Sequence, residues 1–184
     1  MPKSPPRRAP ARKPAPPLPA VRLRALERTD LARSLVWVND PEITHFTGTL
    51  FPVSEVEEEA WYQRVTTDPS WRAFAVETAD GRHVGNGGFR NIQWIPRSAE
   101  AWLYIGERSQ QNAGLGRAAL VELLKFGFER MNLHRIWGHV FAYNERSIKM
   151  LEACGFEREG VMRDDVFRDG RYYDSYMVSV LAPR

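Results

Sequence analysis

The chain has a single cysteine, Cys154, among its 184 residues. One thiol excludes an intramolecular disulfide framework and fits a reducing compartment. No apolar run approaches the ~20 residues that a membrane-spanning helix needs. The first residues lack the apolar core of a secretory signal, so the expected location is cytoplasmic, with no membrane partner. The four histidines, His45, His83, His134 and His139, show no metal-ligand spacing, and no metal is expected. Internal repeats are missing. A basic folded surface is missing too, despite a formal charge of +3. Lys3, Arg7, Arg8, Arg12 and Lys13 lie in the first 20 residues, which hold no acid, while the other 164 carry 21 basic and 23 acidic side chains, a net of −2. A general nucleic-acid-binding domain is therefore not supported.

What is present is a chain of one-domain size, with 43% hydrophobic and 11% aromatic residues, enough for a sizeable core. Residues 1–20 contain eight prolines and are expected to form a disordered, Pro/Arg-rich basic tail with extended conformations. That tail reads either as a solvated appendage or as an electrostatic tether to ribosome or RNA. Residues 21–184 form the expected domain. Alternation in 21–26 predicts a strand. Thr29-Asp30 predicts a helix to about Val38, stopped by Asn39-Asp40-Pro41. Ser54 and Glu57 make a capping box for a second helix reaching roughly Val65, with an acidic first turn. Asp80-Gly81 marks a hairpin between strands at 71–77 and 83–95. Further strands are expected at 100–105, 135–141, 160–167 and 172–181, and a long helix at 116–130. Two helices, an antiparallel meander and then β-α-β-α-β-β make an α/β fold with a mixed sheet.

The stretch Gln111-Asn112-Ala113-Gly114-Leu115-Gly116-Arg117 lies between a strand and a helix. Such a junction presents backbone N–H groups and a positive helix end to phosphate, and its glycines allow close approach. It is not a P-loop, because Gly116 is followed by Arg117-Ala118 rather than Lys-Ser/Thr. It departs from the dinucleotide fingerprint in having Ala119 where a third glycine is usual, and no suitable βαβ unit follows. Alone, the segment is compatible with a tight structural turn or another phosphate ligand.

Gln111, Gly114 and Gly116, followed by Asn144, Ser147 and the Gly155-Phe156 pair, resemble the two signatures of the GCN5-related N-acetyltransferase (GNAT) superfamily. Leu133-His134-Arg135 and the segment 168–174 resemble the branch holding ribosomal-protein N-terminal, spermidine and aminosugar acetyltransferases. The resemblance implies a single GNAT-like domain with about four helices. Its mixed, mostly antiparallel twisted sheet is splayed between two central parallel strands. It also implies acetyl-CoA as co-substrate and direct transfer of acetyl to the primary amine of a protein N-terminus or a small molecule. The pyrophosphate of CoA would sit on 111–117, with Ile105 and Asn144 along the pantetheine arm. The acceptor would enter from the opposite side of the sheet, under the N-terminal helices and the loop 41–51.

Amine acetylation needs a base for the amine and a donor for the leaving thiolate. Glu100 is the candidate base. It shares a strand face with Trp102 and Tyr104, where aromatic surroundings would favour uptake of a proton. Glu107 is a second candidate. Many relatives place a Tyr seven residues after the Asn, and here that residue is Leu151. Ser147 is the nearest replacement. Cys154 reads as packed and inert. Trp94, Trp102 and Tyr104 are candidate acceptor-pocket walls. The alternative is a non-catalytic CoA-binding module tethered by its basic tail. Either a monomer or a homodimer is compatible with the sequence.

Overall fold

The alternating apolar pattern closes into a seven-stranded mixed sheet in the computed structural model, which describes residues 17–110 and 113–183. Positions 1–16, most of the expected tail, and Gln111, Asn112 and Arg184 lie outside the described residues. The strands are β1 (Val21–Ala25), β2 (Arg72–Thr78), β3 (His83–Gln93), β4 (Ser98–Ile105), β5 (Arg135–Phe141), β6 (Glu157–Arg168) and β7 (Arg171–Leu181). Their spatial order is β1-β2-β3-β4-β5-β7-β6. Among the described residues only β4 and β5 run parallel. A parallel pair needs a crossover helix, and here it is α4 (Leu115–Lys125), which continues into a π-helical turn over Phe126–Arg130.

The remaining helices are α1 (Leu31–Val38), α2 (Pro41–Thr44), α3 (Glu55–Thr67) and α5 (Glu145–Ala153). Four of the five have eight residues or more, as the sequence pattern predicts. The short α2 was not expected. Pro41 stops α1 but also opens the next helix, because its missing N–H costs nothing at a first position and the Asp40 side chain caps Glu42 N–H. α3 begins with the expected reciprocal Ser54–Glu57 box.

Strand periodicity divides the core between two faces. Val76 of β2 is buried with Val84 against Leu115 and Ala119 of α4, while Phe74 packs on the cluster in which Leu120 and Leu123 of α4 are buried with Phe89, Ile136 and Val140. Ala75 points the other way, onto Leu26 and Val65 of the α3 layer. Gly85 is required where β3 crosses β4, since a Cβ there would overlap the Tyr104 carbonyl. Pro19 also touches the domain: a Cβ on Gly114 would lie 3.3 Å from its ring. Packing therefore begins slightly ahead of residue 21.

Candidate active site

β4 and β5 pair at Ser98–Arg135, Ala99–Ile136 and Glu100–Trp137, and then part. Each continues along its outer neighbour, β4 with β3 as far as Ile105 and β5 with β7 as far as Phe141. Because both outer ladders persist while the inner one stops, 101–104 and 138–141 do not pair with each other. A wedge opens at the carboxyl ends of the central strands. A cavity of about 910 Å³ runs through it, lined on one side by Leu103, Leu120, Asn144, Ser147 and Leu151, and on the other by Glu58, Trp61, Glu100 and Trp102.

At the mouth of the first side, Gly114 sits at φ 80° immediately before α4. Left-handed backbone of this kind is available to glycine at little cost. Among the described residues no side chain caps this helix start, and no acid lies in its first turn, an arrangement whose N–H groups and positive end suit an anion. Leu115 is buried, Gly116 lies under Met150, and Ile105 packs on the Val84–Leu115 cluster. Arg117 is partly buried, and its Nε has no hydrogen-bond partner among the described residues. Ala113 is exposed at the loop. Gln111 and Asn112 of the predicted cradle fall outside the described residues.

Asn144 is buried, and its Oδ1 accepts the Ser147 N–H at 3.1 Å as the cap of α5. The cap uses the Ser147 backbone, so the hydroxyl remains available to the cavity that Ser147 lines. Leu151 lines the same wall. Burial pushes the Cys154 thiol up, away from the reactive thiolate.

On the acceptor side the surroundings of Glu100 are polar rather than simply aromatic. β3 bulges between Arg90 and Gln93, with Asn91 at φ 51°. The bulge aims two donors at the buried Glu100 carboxylate. Arg90 pairs with Oε1, and Asn91 Nδ2 donates to Oε2 at 2.8 Å. His139 Nδ1 stands 3.8 Å from Oε1. Sequence periodicity placed Glu100 on the correct face but gave no sign of this bulge. Glu107 does not line the cavity and accepts a hydrogen bond from Ser109.

The aromatic wall consists of Trp61 against Trp102 with ring centroids 6.1 Å apart, then Trp102 against Tyr104 at 6.4 Å. Trp94 is exposed and takes no part in it. Burial pushes the Tyr104 phenol up, and its oxygen accepts from Asn86 Nδ2 at 2.8 Å. The loop after α2 supplies Phe46, Thr47, Thr49 and Phe51 to the cavity mouth, as the 41–51 reading expects. Arg168 on β6 holds this loop by donating to Thr47 O at 2.7 Å.

One cavity residue escaped the sequence reading. Glu58 is 4% exposed, and its Oε1 has no hydrogen-bond partner among the described residues. Burial pushes its carboxyl up to about 7. In sequence it merges with the acidic first turn of α3. The available signal is helical spacing, which puts Glu58 on the face of Trp61, Tyr62 and Val65.

Residues 20–157 match the acetyltransferase (GNAT) domain, and the chain belongs to that family of acetyl-CoA-dependent enzymes. It is similar to the spermidine N(1)-acetyltransferase of Vibrio cholerae, 33% identical over 159 residues, which cover 86% of this chain and 91% of that protein. A crystal structure of spermidine N-acetyltransferase from Vibrio cholerae in complex with CoA and spermine aligns with a TM-score of 0.82 at 33% identity, covering 88% of this chain and 95% of that one. The ribosomal protein uS5 alanine N-acetyltransferase of Escherichia coli is 27% identical over 99 residues, 52% of this chain and 51% of that protein.

Proposed function

We propose that this acetyltransferase moves the acetyl group of acetyl-CoA onto a primary amine of a small, multiply charged acceptor of the polyamine class. The observation that carries this reading is the composition of the cavity's acceptor half. Glu57, Glu58, Glu100 and Asp165 line it, against one arginine, Arg90, which is paired with Glu100. Aromatic faces of Trp61, Trp71, Trp102 and Trp137 complete the wall. Acids and ring faces together favour an ammonium ion over a neutral or anionic acceptor. The spermidine-acetylating relatives support the same class.

In this reading residues 111–117 hold the pyrophosphate through backbone N–H groups and the start of α4. Ile105 and Asn144 lie along the pantetheine arm. Glu100, held in place by Arg90 and Asn91, acts as a base at the foot of the wedge. The Ser147 hydroxyl donates toward the departing sulfur, in the place that Leu151 leaves without a donor.

Two measurements test the reading. Thermal shift with CoA, acetyl-CoA, ATP and NAD should show stabilisation by the CoA species alone. At ~100 times Kd this is about 2.7 kcal/mol, or on the order of 5–10 °C. Thiol release should then be faster with spermidine and diamines than with a peptide N-terminus. Preference for the peptide would sink the polyamine assignment, and no CoA-specific shift would sink the cofactor assignment.

A further inference from the structure

We infer that Glu58 is a second catalytic carboxylate of this site, which receives the acceptor's ammonium group and takes its proton before attack. This rests on the acetyl-transfer reading above.

The argument is geometric. An incoming amine is an ammonium ion at neutral pH and cannot attack until a proton leaves. The proton needs an acceptor oxygen with a free lone pair beside the thioester. Glu100 lies at the last paired rung of the wedge, and each of its oxygens already accepts from one side chain, which leaves it a base with part of its acceptor capacity in use. Glu58 differs on both counts. It belongs to the α3 face whose Trp61 packs on Trp102, and it lines the cavity together with Trp102 and Tyr104 of the open stretch of β4. Its Oε1 is buried and without a partner among the described residues, in a wall that also leaves Trp102 Nε1 unsatisfied.

The charged and titratable groups sharing the cavity are Glu57 on α3, Tyr104 and Glu100 on β4, Arg90 on β3, His139 on β5 and Asp165 on β6. Glu57 is engaged by Ser54, Arg90 by Glu100, and Asp165 by Ser175. Among the described residues no ion pair neutralises Glu58, so the positive partner it needs is the substrate's own. Its place in the first turn of α3 suits the helix dipole, but a buried carboxyl with neither partner nor counter-ion is costly to keep.

The step balances as follows. The ammonium nitrogen gives one proton to the Glu58 carboxylate. The freed lone pair attacks the thioester carbonyl, forming C–N, and the C–S bond breaks with its electron pair on sulfur. A second nitrogen proton ends on that sulfur. The products are the acetamide, CoA thiol and neutral Glu58, which returns its proton to solvent as the cavity opens.

The test measures thiol release from acetyl-CoA with 1,4-diaminobutane, spermidine and an Ala-headed peptide. The proteins are the wild type, Glu58→Gln, Glu58→Asp and Glu100→Gln. Glu58→Gln should lower kcat/KM for the best amine by about 10²–10³-fold and flatten the acidic limb of the pH profile. CoA affinity should stay within about twofold and thermal stability should not fall. Glu58→Asp should keep the limb with intermediate activity. Wild-type turnover with Glu58→Gln within about threefold of it and the limb intact, or a limb lost only in Glu100→Gln, overturns this inference alone. No thiol release by the wild type with any of the three amines overturns the acetyl-transfer reading and this inference with it.

Discussion

Glu58 sets a pH dependence of stability whose sign is opposite to that of an ordinary paired acid. Its folded pKa, about 7, lies above the unfolded value near 4.5. Between these values the native state holds the extra proton, so stability falls as pH rises from about 4.5 to 7 and then levels. Glu58→Gln removes the penalty. It should raise Tm at pH 8 by several degrees, corresponding to on the order of 2 kcal/mol, with the gain shrinking toward pH 5. Calorimetric scans of both proteins at the two pH values check this. A gain of equal size at pH 5 would show that burial of the charge is not its cause. Glu58 was hidden in sequence because three consecutive glutamates look alike until α3 is docked. Only then is one of them shut away from water.

The elements around the site divide its work. α4 brings its start to one side of the wedge, α5 brings its capped first turn, and the loop after α2 lines the cavity from the other side. That loop is held from a distant part of the chain. Arg168 donates to Thr47 and Thr49, and Tyr143 donates to His45 O at 2.7 Å. Arg168→Ala should free the loop without touching the CoA side. The expected result is a KM for the amine raised about 3–10-fold, in line with the loss of a charge-assisted hydrogen bond of roughly 1 kcal/mol net. CoA affinity measured by titration should be unchanged. A matching loss of CoA affinity would mean the loop supports both halves. Strands, the Ser54 and Asn144 caps and the hairpin at Asp80-Gly81 were legible beforehand, because local pattern sets them, whereas Asp30 makes no side-chain cap to α1 and instead pairs with the Glu27 N–H ahead of it. The short α2 was not, since Pro41 serves equally as a stop and as a first helical residue. Nor was the bulge at Asn91, which depends on where β4 lies.

Across the whole molecule, charge is unevenly placed. The basic excess belongs to the first 20 residues, and the remaining 164 carry a net of −2. The cavity lining beside α3 and β4 is acidic, while the start of α4 carries Arg117. A multiply charged amine should therefore be drawn in electrostatically and lose that help in salt. Raising ionic strength from about 50 to 500 mM, where the Debye length drops below the size of the cavity mouth, should lower kcat/KM for spermidine several-fold. A singly charged amine should be affected less, and equal salt sensitivity for both would argue against an acidic funnel. The same assay on a chain lacking residues 1–16 separates the tail from the domain.

By itself the sequence determined the class of the protein. A glycine-bearing strand-to-helix junction and an Asn-capped helix thirty residues on are local features, and it is their combination and spacing, rather than either alone, that carries the resemblance to the family. Only tertiary structure decided the rest. The wedge exists because β4 and β5 each keep their outer partner, a competition no single segment encodes. The polar cage of Glu100 and the unpartnered carboxylate of Glu58 arise from side chains brought together from α3, β3 and β4. Burial and pairing are properties of the packed whole, and they decide which acids of an acid-rich chain are left to meet the amine.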